Sequence, residues 1–501
     1  MAGSIFTDED KADTQALLKT GFDVLWCNYL MLRIVEPKPA RQWLRGQLAE
    51  IKSFAQVGGA QHATHVRQMA LTAAGLDKLG LDPALIAQFA PEFTIGLADD
   101  PSRSRRLGDT GRNDPAKWMW GAGAKEPHVV LMVFDEDDVQ LKAVTDQLLA
   151  EAKASGLSEV ITLDSGDMGD REPFGFRDGL SQPAIDWHGE RTPGDAADMD
   201  FHNRITLGEF LLGYSNEYGL YTERPLLEPQ APGANSLPVA EDQPELRDLG
   251  RNGSYLVFRQ LDQDVRRFWS WMQDAAGEAE AIPLAEAMVG RHYDTGGPFA
   301  PLGTLDIPGI KDRAINGFNF RSDPDGHVCP IGAHIRRSNP RTGDYPTGRT
   351  GIIKKLLSLF GLIGTPEDDR IASTRFHRIL RRGREYGEPL DRLEAVKPGA
   401  KDPRSGLHFI CLNANLSRQF EFVQGAWLAS AKFAGMSNEQ DPLLGNREPF
   451  PGTQANDRFT RPHADGPCRV SNAVPQFIAV RGGAYFFLPG LRALNWLLAD
   501  R

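Results

Sequence analysis

One histidine, in the run Cys329-Pro330-Ile331-Gly332-Ala333-His334-Ile335-Arg336-Arg337-Ser338-Asn339-Pro340-Arg341, carries more chemical information than any other residue of the chain. Imidazole is an axial ligand for haem iron. A guanidinium beside it matches a porphyrin propionate in a planar fork. Arg336, two residues on, shares a strand face with His334 by alternation and is placed to meet a propionate. Arg341, in the Asn-Pro-Arg turn, is placed either for the same contact or to brace the loop. Far upstream, Gly175-Phe176-Arg177-Asp178-Gly179 sets a carboxylate between glycines. There the backbone, at Gly179 above all, can pass close over a flat ligand. A third run, His377-Arg378-Ile379-Leu380-Arg381-Arg382-Gly383, reads as a strand with Arg378 and Arg382 on one face and Arg381 with Ile379 on the other. A buried guanidinium can steady negative charge that develops on a bound ligand. Leu407 and Phe409 flank His408 and share a face. Each run alone has a bland reading: a hydrogen-bonded histidine, a glycine turn, a basic strand, sheet core. Their co-occurrence in one chain is what gives them weight.

These groups need elements to hold them. Asn28 to Val35, His65 to Leu71, His128 to Phe134 and Glu159 to Leu163 read as strands. Between them, Ala40 to Phe54 and Asp138 to Ala154 carry apolar residues at helical spacing, and Thr72 to Gly80 is a short helix closed by glycine. After a proline- and glycine-rich excursion, the pattern restarts with a strand at Gly253 to Arg259 and a helix at Leu261 to Asp274. It ends with a strand at Leu407 to Cys411, a helix over about Leu416 to Ala431, and short strands at Gln476 to Val480 and Gly483 to Leu488. The alternation predicts an α+β fold, each sheet covered on one side by helices. The expected divisions are an arm at 1–19 (a short helix or a loose segment), a first domain at 20–165, connecting loops at 166–250 and a second domain at 251–501.

The chain of 501 residues is too long for one ordinary core. A net charge of -11 disfavours a general nucleic-acid binder. Four scattered cysteines, with no CxxC pair, argue against a disulfide framework and a cysteine zinc site. The opening Met-Ala-Gly-Ser-Ile-Phe-Thr-Asp-Glu-Asp-Lys has neither a basic region before an apolar stretch nor a twin-arginine pair. No stretch is apolar enough to span a bilayer. A cytoplasmic protein is the expectation.

Together, the GxxDG segment at Gly175–Gly179 and the histidine before an Asn-Pro-Arg turn resemble the dye-decolorizing peroxidase family. The likeness runs from about Asn28 to Leu491, and the extended loops look like those of the larger bacterial members. The resemblance implies two ferredoxin-like domains, with one haem b per chain held mainly in the C-terminal one. It implies His334 as the axial ligand and Asp178 as the group that takes a proton from H2O2 and returns it to the departing oxygen. Aspartate as a residue type stays ionised in mild acid, which implies a working range on the acidic side of neutral. The family places its arginine first in an Arg-Arg-Gly run, which maps to Arg381. It places Leu407 and Phe409 where they keep the pocket small. It carries an acceptor for the histidine after the long helix, where Asp441 stands. A narrow pocket implies that bulky donors give up electrons from outside it.

The implied activity is reduction of H2O2 with one-electron oxidation of phenolic or dye-like donors, an unidentified small aromatic reductant among them. The alternative is a haem-handling protein that stores, delivers or strips iron from haem, peroxidase activity being incidental. It has no use for an aspartate and an arginine facing the open iron site. A third reading, an arginine-rich anion-binding protein, predicts a colourless product. Self-association into a homo-oligomer is left open.

Overall fold

The computed structural model describes residues 5–22, 26–58, 64–190, 204–300, 313–320, 322–341, 373–399, 403–448 and 456–499. Parts of the expected connecting loops and of the second domain lie outside these residues. Nine strands make the principal sheet: β1 Trp26–Ile34, β2 His65–Leu71, β3 Val129–Asp135, β4 Leu157–Asp164, β5 Ser254–Gln263, β6 Leu380–Arg381, β7 Arg384–Gly387, β8 Ser405–Asn413 and β9 Ile478–Leu488. Their order is β6-β8-β5-β9-β2-β3-β1-β4, with β7 also on β8, and neighbours run antiparallel.

Each half of this order is a ferredoxin-like unit. In the first, helix α1 Pro37–Gln47 joins β1 to β2, and helix α2 Asp138–Ala154 joins β3 to β4. The strands lie in the order β4-β1-β3-β2, the split βαβ arrangement. In the second, helix α3 Val265–Ala276 follows β5, and the helical turns Ser417–Glu421 and Val423–Leu428 stand between β8 and β9. The order β9-β5-β8-β6 repeats the scheme. The halves meet through one ladder pair, Phe487 with Leu71.

Alternation along the strands fixes which side chains meet which layer. Leu30 and Leu32 of β1 join a core with Leu141 and Leu148 of α2 and with Phe268 and Trp269 of α3. Tyr29 and Met31, one residue out of phase, face the other way into a second core with Phe258 and Phe486. The sheet curls to bury that second face on itself. The Tyr29 ring lies 4.9 Å from Phe258 on β5 and 5.4 Å from His408 on β8. At the closing edge, Gly166 N–H donates to the Glu385 carbonyl at 2.8 Å. Helices therefore cover one face, as expected, and the curl closes the other.

Four local readings are settled or changed. The N-terminal arm is anchored: a helix at Asp8–Asp13 is capped by Thr7, and Phe6, Leu17 and Leu18 are buried. The helix expected from Leu261 starts later, because β5 runs on to Gln263. The two short C-terminal strands are one, β9, with a register shift between Val480 and Gly482. The proline-rich excursion has anchors spaced too irregularly for a periodic signal: Leu227, Ala234, Leu237 and Ala240 are buried, and Arg224 bridges Asp242 and Asp248. Among the described residues, no helix is long and apolar enough to cross a membrane.

Candidate active site

Asp178, His334, Arg341, Arg381, Leu407 and Phe409 all line one cavity, with most of the wall drawn from residues after 250. His334 stands at the start of a short helix, α4 His334–Ser338. The Cys-Pro turn before it and Asn339-Pro340 after it are boundary signals that fix this one turn, where alternation had suggested a strand. Helical geometry sends Arg336 about 200° round the axis from His334. Arg336 accordingly leaves the cavity and binds the Asp323 carboxylate at 3.1 Å and the Cys329 carbonyl at 2.8 Å. Its expected propionate contact is replaced by bracing of the loop at 323–329.

The His334 imidazole meets Asp441 Oδ2 through Nδ1 at 2.9 Å. Asp441 is fully buried, and its Oδ1 accepts from Leu443 N at 3.0 Å and Leu444 N at 2.8 Å. Burial works against charge on His334, but the Asp441 carboxylate and its hydrogen bond outweigh it and hold the imidazole above its usual pKa. Burial likewise opposes charge on Asp441; the histidine and the Leu444 amide overcome it and hold the carboxyl below its usual range. Arg337 fastens the loop that carries Asp441, donating to the carbonyls of Trp427 at 2.9 Å and Glu439 at 2.6 Å. At Gly332 nearby, a Cβ would stand 2.2 Å from Glu439 Oε1, so a side chain there would displace Glu439. With Nδ1 committed to Asp441, Nε2 is the nitrogen left for a metal.

Asp178 and Arg381 form a second wall. Arg381 Nη1 lies 3.3 Å from Asp178 Oδ1, and Nη2 donates to the Ser181 carbonyl at 3.1 Å. Gln182 pairs with the Arg381 backbone in both directions, at 3.0 and 3.1 Å. The side chains of Asp178 and Arg381 are 31% and 36% exposed. Gly179 holds a positive φ of 69° in the turn behind Asp178 and is exposed, outside the cavity wall. Leu407 and Phe409 face the cavity from β8, while Ile410 turns to the inner core.

The third run is only partly a strand. Ser373–His377 is a 3-10 turn, and β6 begins at Leu380. Arg378 precedes the strand and escapes its alternation, so it lines the cavity with Ile379 and Arg381. Arg382 alone turns away, donating to the carbonyls of Leu17 at 2.7 Å and Leu18 at 3.0 Å. Sequence reasoning passed over Arg378 as a cavity residue, and Arg291 entirely. Arg291 donates to the Gly296 carbonyl at 2.8 Å. Arg341 donates to the carbonyls of Asn316 at 2.8 Å and Phe318 at 2.5 Å, its guanidinium 3.4 Å from the Phe318 ring centre.

The donor set fits a haem. Burial, followed by the charges of Arg375 and Arg381, brings Arg378 down to about 10. Burial, followed by Arg381, does the same to Arg291. Arg341 is lowered by burial and then by Arg378 and Arg291. A dianionic guest would offset this mutual repulsion, as two propionates do. The remaining walls, including Val289, Ile335, Phe420 and Leu443, are apolar and suit a flat macrocycle.

Comparison with known proteins agrees. No family model matches the chain. Dye-decolorizing peroxidase msp1 of Mycetinis scorodonius is 27% identical over 454 residues, covering 86% of this chain and 76% of that protein. Multifunctional dye peroxidase DyP2 of Amycolatopsis sp. is 28% identical over 446 residues, covering 85% and 81%. The crystal structure of a fungal DyP-type peroxidase from Auricularia auricula-judae superimposes with a TM-score of 0.73 at 22% identity, covering 99% of this chain and all of that one. A DyP-type peroxidase from Anabaena sp. gives a TM-score of 0.68 at 23% identity, covering 98% and 95%. The fold is that of these enzymes. In sequence and fold the chain is similar to dye-decolorizing peroxidases.

Proposed function

We propose that the protein is a haem peroxidase that reduces H2O2 and oxidises phenolic or dye-like donors in one-electron steps. The observation that carries this reading is one cavity lined both by an imidazole braced on a buried carboxylate and by an aspartate–arginine pair. The cofactor is haem b, one per chain, which supplies when bound the redox-active iron at which peroxide is cleaved. His334 holds it through Nε2, and Asp441 orients the ring by accepting from Nδ1. Asp178 takes the proton from the first peroxide oxygen and delivers it to the departing one. Arg381 holds the negative charge that builds on that oxygen. Arg341, Arg291 and Arg378 receive the propionates. Leu407 and Phe409 confine the space to a peroxide-sized molecule. The balance is one H2O2, two protons and two electrons in, two waters out, the electrons drawn from two donor molecules. Four free cysteines fit a reducing compartment, and we place the protein in the cytoplasm.

The test is steady-state oxidation of a phenolic dye with H2O2, per haem bound. Asp178→Asn loses on the order of 100- to 10,000-fold, and Arg381→Leu on the order of 100- to 1,000-fold, both with wild-type haem content. Wild-type rates in both variants would remove the assigned roles. A haem carrier lacking this dependence would take the enzyme's place.

A further inference from the structure

The segment that carries Asp178 is held by a carboxylate with no part in the chemistry described above. Arg171 and Arg177 form an antiparallel bridge, and Asp178 follows directly. Within that hairpin, Glu172 N–H donates to the Phe176 carbonyl at 2.8 Å, and Gly175 N–H to the Glu172 carbonyl at 2.7 Å. The Glu172 side chain turns back on the same loop. Oε1 accepts from Phe176 N at 2.9 Å and Oε2 from Phe174 N at 3.1 Å. Oε2 also accepts from Gln263 Nε2 at 2.6 Å, which ties the hairpin to the end of β5. From outside, Arg171 Nη1 donates to the Gly175 carbonyl at 2.5 Å and the Tyr293 carbonyl at 3.1 Å. Gly175 itself sits at φ 95°, where a Cβ would meet the Tyr293 hydroxyl at 2.3 Å.

A surface turn does not need a carboxylate that takes three hydrogen bonds. Glu172 lines the same cavity as Asp178 and His334. Burial pushes it up to about 7, against the pull of Gln263 and the two amides, and the charge of Asp178 adds to the rise. Such a costly group is retained where it fixes geometry: its two oxygens gather N–H groups from Phe174, Phe176 and Gln263, three separate points of the hairpin and β5. A base must stand within hydrogen-bond reach of its proton. A displacement of about 1 Å can cost on the order of 100-fold.

We infer that Glu172 is a positioning residue for Asp178: with Gln263 it locks the hairpin so that the Asp178 carboxylate points into the cavity at a fixed depth. This rests on the peroxidase reading. Glu172 acts through Asp178 and touches neither peroxide nor donor.

The test is a double-mutant cycle on the holoenzyme, paired with amide hydrogen exchange. Glu172→Gln keeps the size but replaces one acceptor oxygen by a donor facing N–H groups. The expected result is a fall in kcat/KM for H2O2 on the order of 10- to 100-fold, an unchanged KM for the dye, and wild-type haem content. Exchange should quicken over 172–178 and stay unchanged in the His334 helix. In an Asp178→Asn background the same substitution should have no further effect. Gln263→Leu removes one anchor, and should reproduce the pattern at smaller amplitude if Glu172→Gln does not fold. An equal loss in both backgrounds overturns the inference. So does a lowered Tm with an unchanged rate per haem. Should Asp178→Asn itself turn over like wild type, the peroxidase role of Asp178 falls first. Should it be dead while Glu172→Gln is normal, only the role of Glu172 falls.

Discussion

The two polar walls of the cavity are built on opposite plans. Asp441 is fully buried, takes three hydrogen bonds, and has its loop fastened by Arg337. Asp178 and Arg381 are about one-third exposed and meet at 3.3 Å, a long contact for opposite charges. A ligand to a resident group must not move, so its support is dry and saturated. A pair that handles a small substrate must admit it, so its members keep hydrogen-bonding capacity in reserve. On the proposed reading, the difference separates holding from reacting within one cavity.

The sharpest way to break this comparison is to remove the holding wall. His334→Ala should abolish stable haem uptake, read as loss of the Soret band after reconstitution, whereas substitutions at Asp178 and Arg381 leave it. If uptake depended equally on both walls, the division of labour would be wrong. A milder change sharpens it. Asp441→Asn keeps a hydrogen-bond acceptor but removes the charge, and should cost on the order of 10- to 100-fold in haem affinity or peroxidase rate.

The smallest expected effect concerns a different, fully buried histidine. His408 lies between Leu407 and Phe409 on β8, its Nε2 donating to the Asp164 carbonyl at 2.9 Å. Its ring stacks on Tyr386 at 4.4 Å. Burial, ahead of every other influence, lowers it to about 4. A folded pKa below the unfolded value near 6.5 means that the unfolded chain binds the extra proton. The contribution is therefore present above about 6.5 and is lost as pH falls toward 4. Its ceiling is about 3 kcal/mol. His128, also lowered to about 4 and accepting from Ile34 N through Nδ1, adds in the same direction. In urea unfolding of wild type and His408→Gln side by side between pH 7 and 4, the variant should lose less stability than wild type as pH falls. An unchanged slope would contradict the assignment.

The motif residues were legible because each sits in a short run whose turn chemistry and reactive group go together. Asp178 between glycines and His334 before Asn-Pro-Arg could be picked out without knowing the fold. The strand–helix rhythm was legible too, down to the limits of the Asp138–Ala154 helix. What escaped depends on contacts distant in sequence. Arg336 was misdirected because one helical turn replaced a strand, a change that reverses a side chain two residues along. Arg378 was set on the wrong face because β6 begins two residues after it. Arg291 belongs to no motif, and only the packing of distant segments brings it to the cavity; Glu172 stands just before the GxxDG run, but its tie to Gln263 crosses a long stretch of chain. The curl that sets Tyr29 against Phe258 leaves no mark in the local pattern.

The most direct measurement is the optical spectrum of the haem-reconstituted protein before and after one equivalent of H2O2, with Asp178→Asn beside wild type. The account predicts a Soret band in both, and a rapid spectral change on adding peroxide in wild type alone. A wild-type protein with no Soret band, or an Asp178→Asn variant that responds as fast as wild type, would contradict it.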